Sequence, residues 1–239
     1  MSKWTLPAIA VAGAAIGGLA VWGYDRQAAP DGMARAQVET IVHDYVLAHP
    51  EILPEAMQRL QDRESGKVVA ANRPAIATPF GNAWAGNPQG DVTLVEYFDY
   101  NCGYCRASLP TIAKLIAADP NLRVVFRELP ILSPQSRTAA RASLAAASQG
   151  KFGAFHDALY AAGPVSDATI AAASAKAGVN TAGAAAFAGT ADAEISKNME
   201  TAAKLGVTGT PAWVVGDRML SGAMPIEELQ KAVAAARAG

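Results

Sequence analysis

The chain has 239 residues, 51% of them hydrophobic and 17% charged, with 20 Lys and Arg against 21 Asp and Glu. That length supports one sizeable core with appendages and needs no covalent staples, while a formal charge of −1 offers no basic excess for nucleic acid. Its two cysteines, spaced C-x-x-C, leave none over for a structural disulfide framework.

From Trp4 to Tyr24 no residue is charged, with Lys3 before the run and Asp25-Arg26 after it. Residues 1–24 therefore fit a signal anchor or a signal peptide. Trp4 and Trp22 would stand roughly 27 Å apart along a helix, close to the ~30 Å hydrocarbon layer, which favours the anchor. Gly18-Leu19-Ala20 is the competing small-x-small cleavage pattern. Lys3 and the amino terminus make the N-terminal flank the more positive one, so the rest of the chain is expected outside the cytoplasm.

Residues 25–79 read as a helical arm and linker. Val38, Ile41, Val42, Tyr45 and Val46 recur at three- and four-residue spacing, the pattern of an amphipathic helix. It should stop near His49-Pro50, and a second helix should run through Ile52, Ala56, Met57 and Leu60. Residues 66–79 read as irregular. An arm this short cannot bury its own apolar stripe, so association between copies through residues 34–62 is the favoured expectation over docking on its own domain.

From residue 80 onward the pattern changes. Val92 to Phe98 is a buried strand, 103–118 a helix that Pro110 should kink, and Leu122 to Phe126 a second strand, parallel to the first. Residues 134–205 are helical in character, broken at Gly150, Gly163-Pro164, Gly178 and Gly189, with Ser166 and Thr190 as N-caps. Ala212 to Val215 and Arg218 to Ser221 form a hairpin around Gly216-Asp217, and a last helix covers Ile226 to Ala236. The order is βαβ, a helical block, then ββα.

Cys102 stands where the strand gives way to the helix. A sulfur there meets unsatisfied backbone N–H groups and the positive end of the helix dipole, which stabilises a thiolate. Cys105, one turn later, lies deeper; Cys102 should attack and Cys105 should resolve the mixed disulfide. Structural zinc usually needs four ligands, and only His43, His49 and His156 stand beside the cysteines. Arg106 stands where a haem-attachment motif has histidine, and a disulfide closing so short a loop adds little stability. Copper(I) on the two thiolates remains open, because soft metals favour sulfur. The redox chemistry itself needs no cofactor.

These residues resemble a known family, the DsbA-like thiol-disulfide oxidoreductases of the thioredoxin superfamily. The likeness lies in the run Val95-Glu96-Tyr97-Phe98-Asp99-Tyr100-Asn101-Cys102-Gly103-Tyr104-Cys105, in Arg127-Glu128-Leu129-Pro130-Ile131, and in Gly206-Val207-Thr208-Gly209-Thr210-Pro211-Ala212. Residues 38–60, with Tyr45 and His49-Pro50-Glu51-Ile52-Leu53, look like the N-terminal arm of the suppressor-of-copper-sensitivity (ScsC-like) branch. The resemblance implies an α/β thioredoxin fold over residues 80–239, with the helical block of about 134–205 inserted in it. It implies that Pro211 is cis, and that Thr210 and Pro211 face the cysteine pair and bind substrate backbone. Glu96 takes the position of a buried acid that moves the proton of Cys105; a carboxyl in a buried strand is costly enough to support that role independently. His156, within the insertion, reads as a packed or surface histidine rather than a catalyst.

The function this implies is a periplasmic disulfide oxidoreductase acting on exported proteins through the Cys102-Gly103-Tyr104-Cys105 motif. Its partners would be cysteine-bearing exported substrates, a membrane or periplasmic redox partner and further copies of itself, with residues 4–24 tethering it to the inner membrane. Strong oxidants of the family carry histidine where this chain has Tyr104, so oxidase, isomerase and reductase directions all stay open. An oligomerising arm motivates the isomerase; a copper(I)-binding protein and a monomeric dithiol oxidase are the alternatives.

Overall fold

The computed structural model describes residues 35–238; the apolar run of residues 4–24 and its membrane role lie outside them. Among the described residues no helix is long and apolar enough to cross a membrane. The chain divides between Gln58 and Arg59 into two units.

In the first unit, helix α1 spans Arg35–Ala48 and ends just before Pro50, as the disfavoured helical geometry of a residue preceding proline dictates. Its Val38, Ile41, Val42 and Tyr45 are all exposed. Helix α2 begins at Ile52 and runs to Ala77, its residues from Arg59 on belonging to the second unit, which corrects the expectation of irregular chain over residues 66–79. Two features sustain it. Val69 and Ile76, seven residues apart, are both buried against the sheet, and an added Cβ on Gly66 would sit 3.3 Å from the Asp217 carbonyl oxygen, so the bare glycine suits a helix passing close to the hairpin turn. Pro74 lies inside the last turns and forgoes one backbone N–H bond there.

The second unit is built on a five-stranded sheet in the order β1-β3-β2-β4-β5: β1 is Trp84–Gly86, β2 Val92–Phe98, β3 Leu122–Glu128, β4 Ala212–Val215 and β5 Arg218–Ser221. Strands β2 and β3 pair in parallel, from Val92 opposite Leu122 to Phe98 opposite Glu128; β4 runs antiparallel to β2, with Tyr97 opposite Ala212. The central strands are apolar along both faces because both are covered. Leu94, Phe98, Val124, Phe126 and Trp213 pack on one side, against α3 (Gly103–Ala118), α8 (Ile226–Ala238) and the helices of the insertion. Val95, Tyr97, Val125 and Val214 pack on the other, against α2 and the end of α7.

The insertion comprises α4 (Pro134–Ser148), α5 (Phe152–Ala161), α6 (Asp167–Lys176) and α7 (Ala184–Lys204). Ser166 caps α6 through a reciprocal pair with Thr169, as expected. Thr190 caps nothing: α7 starts after Gly183 and runs straight through Gly189 and Thr190, because Ala191 and Ile195 are fully buried against Ala140 and Leu144 and this packing outweighs one glycine's propensity cost. Arg127 on β3 ties the layers together. It is 1% exposed and donates to the carbonyls of Ile76 and Thr78, to Glu194 at 2.5 Å and to Asn198 at 3.3 Å.

Candidate active site

Strand β2 ends at Phe98, and the chain turns through Asp99, Tyr100 and Asn101 before α3 begins. Cys102 is the N-cap residue of α3, extended at φ −79° and ψ 114°. Its sulfur accepts the Cys105 N–H at 3.3 Å, the contact a helix N-terminus offers to an electron-rich atom. On its other side the Cys102 Sγ–H donates to the Thr210 carbonyl at 3.2 Å, and the Thr210-Pro211 bond is cis. The register explains the encounter: Pro211 leads into β4 beside the end of β2, so the loop before β4 and the start of α3 meet at one sheet end.

Both cysteines are free thiols. Cys102 is 5% exposed and Cys105 1%, so both sulfurs are buried, Cys105 the deeper of the two as expected. The Thr210 carbonyl lies against the Cys102 sulfur. Burial, and then the charge of Glu96, pushes the Cys105 thiol strongly up. Glu96 points to the same sheet face as Leu94 and Phe98, the face that packs on Cys105. Burial, and then the charge of Cys102, raises it well above the ordinary carboxylate value, and its Oε1 has no hydrogen-bond partner. A buried carboxyl with a raised affinity for a proton therefore lies behind the two sulfurs. Gly103 opens the helix with nothing within 4 Å of an added Cβ, so space does not require glycine there, and Tyr104 is 69% exposed.

Several residues around the site were not singled out from the sequence. Asp99 is 1% exposed, yet its carboxylate accepts N–H groups from Asn101 at 2.8 Å, Ile131 at 2.9 Å and Leu132 at 3.0 Å. Its carbonyl accepts the Cys102 N–H at 2.9 Å and the Tyr160 hydroxyl at 3.2 Å. Tyr100 shares its hydroxyl between Ser143 at 2.9 Å and His156 Nδ1 at 3.1 Å. His156 is packed, as expected, among Phe98, Phe126, Phe152 and Tyr160, and burial lowers it to about 3. Arg106 donates to the Gly163 carbonyl at 2.6 Å and stands 5.9 Å over the Tyr160 ring. The insertion is thus fastened to the turn that carries Cys102. The only available signal was the unbroken polar-aromatic run Asp99-Tyr100-Asn101 between a buried strand and the motif.

The DSBA-like thioredoxin domain family matches residues 93–234. The chain belongs to that family. Its arm, residues 35–65, matches the copper resistance protein ScsC N-terminal domain. A thioredoxin-like oxidoreductase from Silicibacter pomeroyi superposes with a TM-score of 0.66 at 41% identity, covering 70% of this chain and 99% of that one. A linker-deleted ScsC mutant from Proteus mirabilis gives 0.66 at 27% identity, covering 88% and 99%. The thiol-disulfide exchange protein alpha-DsbA2 from Wolbachia pipientis gives 0.67 at 27% identity, covering 74% and 97%. Curated Na(+)/H(+) antiporters from Salinispora arenicola and Salinispora tropica are 40% identical over 78 residues, 32% of this chain, which spans 12% of their length. The fold is thioredoxin-like, and the domain is that of a protein thiol-disulfide oxidoreductase.

Proposed function

We propose that the protein exchanges disulfides with exported proteins in the periplasm, with Cys102 as nucleophile, Cys105 as resolving thiol and Glu96 as the proton acceptor behind them. The observation that carries this reading is the Cys102 sulfur held between the Cys105 N–H and the Thr210 carbonyl. The Cys102 thiolate attacks one sulfur of a substrate disulfide; a mixed disulfide forms and the other substrate sulfur leaves as thiolate. That thiolate then either attacks another substrate disulfide, which is isomerisation, or Cys105 attacks Cys102. In the latter case Cys105 gives up its proton, the substrate leaves reduced and the Cys102–Cys105 disulfide closes. The reverse sequence oxidises a substrate dithiol. Thr210 and Pro211 lie where a substrate backbone would pair, and Gly103 and Tyr104 tune the pair between the sulfurs.

The arm supports the isomerase direction. Val38, Ile41, Val42 and Tyr45 are 40–56% exposed at the spacing of one helical stripe, which a second copy would cover, and several sites around one cavity can hold a misfolded substrate. A soluble form beginning at Ala34 should be oligomeric by light scattering and should reactivate scrambled ribonuclease; a monodisperse monomer would leave dithiol oxidation as the preferred direction. The uncharged run of residues 4–24 supports export and tethering to the inner membrane.

The match of the arm to a copper resistance domain favours a second reading, copper(I) held by the two adjacent thiols. Tight copper(I) binding with no turnover of scrambled ribonuclease would put this reading first.

A further inference from the structure

The residue that follows Cys105 is a cation without an anion. Arg106 closes the first backbone turn of α3, its N–H donating to the Cys102 carbonyl at 3.1 Å. A helical side chain leans back over the turn before its own Cα, here the turn that carries the cysteines. Arg106 is half-buried. Its Nη2 donates to the Gly163 carbonyl at 2.6 Å, its guanidinium carbon stands 5.9 Å from the centre of the Tyr160 ring, and its Nε is buried with no hydrogen-bond partner. The insertion thus fixes where the charge sits.

No ion pair among the described residues includes Arg106. Other arginines of this domain are matched: Arg127 has Glu194, Arg137 and Arg141 share Asp192, and Arg237 spans Asp91 and Asp119. The first turn of α3 holds no acid, and both oxygens of the Asp99 carboxylate are taken by N–H groups of Asn101, Ile131 and Leu132. Drawing a guanidinium part-way out of water without a carboxylate costs stability, and a local rule broken beside a reactive group marks a functional position.

We propose that Arg106 receives a carboxylate of the substrate, so that the protein prefers cysteines flanked by aspartate or glutamate. The inference rests on the redox reading above, which supplies the occupant. When the Cys102 thiolate displaces one sulfur of a substrate disulfide, the other sulfur leaves as thiolate and the substrate chain is bonded to Cys102 Sγ. The residues flanking the substrate cysteine lie about 4–7 Å along the chain from it, a span comparable to the ~5.4 Å pitch of the helix turn that separates Arg106 from Cys102. The planar fork of a guanidinium suits a carboxylate, and one already held by Gly163 and Tyr160 loses little freedom when a carboxylate arrives. A lysine in the same place is repelled. A charge that merely tuned the sulfurs would change the rates of all substrates alike, whereas a carboxylate receptor changes their ratio.

The test uses the reduced full-length protein and the disulfide-linked dimers of two short single-cysteine peptides, with glutamate or lysine flanking the cysteine. Oxidation of Cys102 and Cys105, with release of two peptide thiols, is followed by acid quench and mass spectrometry. Each rate is divided by that peptide's rate with dithiothreitol, which leaves only the protein's discrimination. Attraction and repulsion of about threefold each, the scale of one partly solvated charge pair, should give the wild type about a tenfold preference for the glutamate dimer in kcat/KM. Arg106→Lys should keep most of that ratio. Arg106→Met, which retains an aliphatic stem beside Tyr160, should bring it to within about twofold. Arg106→Glu should turn the preference to the lysine dimer, a gain that misfolding cannot mimic. A wild-type ratio near one, or a ratio unchanged in both Arg106→Met and Arg106→Glu, overturns the carboxylate site while leaving the redox pair standing. Failure to react with either peptide or with glutathione disulfide would instead overturn the redox reading itself.

Discussion

Replacing Glu96 with glutamine separates the two consequences of burying a carboxyl behind the cysteines. Burial, and then the Cys102 charge, raises Glu96 well above 4.5. An acid raised on folding binds its proton more tightly in the native state, so its contribution to stability is complete below the unfolded value and is lost as pH rises toward the folded one. Each pH unit in that window is about 1.4 kcal/mol, so from pH 5 to pH 7 the wild type loses up to about 2.7 kcal/mol through this group. Glutamine has nearly the same shape and never ionises, so Glu96→Gln should gain on the wild type as pH rises. Glu128, also raised by burial, contributes the same slope to both proteins and cancels in the difference. Catalysis should move the other way. Cys105 must lose its proton to close the disulfide, and without an acceptor closure should slow by about 100-fold, the lower end of general-base effects, with the rate profile displaced to higher pH. Urea unfolding of the reduced proteins at pH 5, 6 and 7 reads the first effect; stopped-flow closure of a preformed mixed disulfide reads the second. A stability difference that is flat with pH, or a variant that closes at wild-type speed, refutes the reasoning.

Burial lowers His156 from 6.5 to about 3, so its contribution is present above pH 6.5 and lost as pH falls toward about 3. His156→Gln should remove about 1.4 kcal/mol of acid sensitivity per pH unit in that window, seen as thermal midpoints that change less between pH 7 and pH 4. Asp99→Ala strips the acceptor from three N–H groups and should cost about 3 kcal/mol, with faster hydrogen exchange at Ile131 and Leu132. Arg127→Met leaves the Glu194 carboxylate, 10% exposed, without its guanidinium and should cost about 3–5 kcal/mol in denaturant unfolding; adding Glu194→Leu should recover part of it.

The legible parts of the fold were those in which local pattern and tertiary role agree. Val92–Phe98 reads as a strand because both faces of β2 are covered and, Thr93 and Glu96 apart, its positions hold β-rich apolar residues. Cys102 reads as a helix N-terminus because a buried strand stops and an amphipathic pattern starts there. Strand β1 was not legible, since Trp84–Gly86 is three residues long and is made by pairing with Val125 and its neighbours. The rest of α2 was obscured by Gly66 and Pro74, whose propensities point away from helix, while what holds the segment is contact with residues far along the chain. Thr190 has the chemistry of a cap, but α7 is fixed by the burial of Ala191 and Ile195. At the site, Glu96 stood out as a charge in an apolar run. Asp99 did not, because a carboxylate in a turn is ordinary until the N–H groups of residues 131 and 132 are seen to close on it.

The account stands on Cys102 attacking and Cys105 resolving, and trapping tests it most directly. With Cys105→Ser, mixed disulfides should accumulate between Cys102 and exported proteins in the native compartment and disappear on reduction, while Cys102→Ser in the same background accumulates none. Adducts that persist through residue 105 when Cys102 is replaced, or no adducts at all with Cys105→Ser, would contradict it.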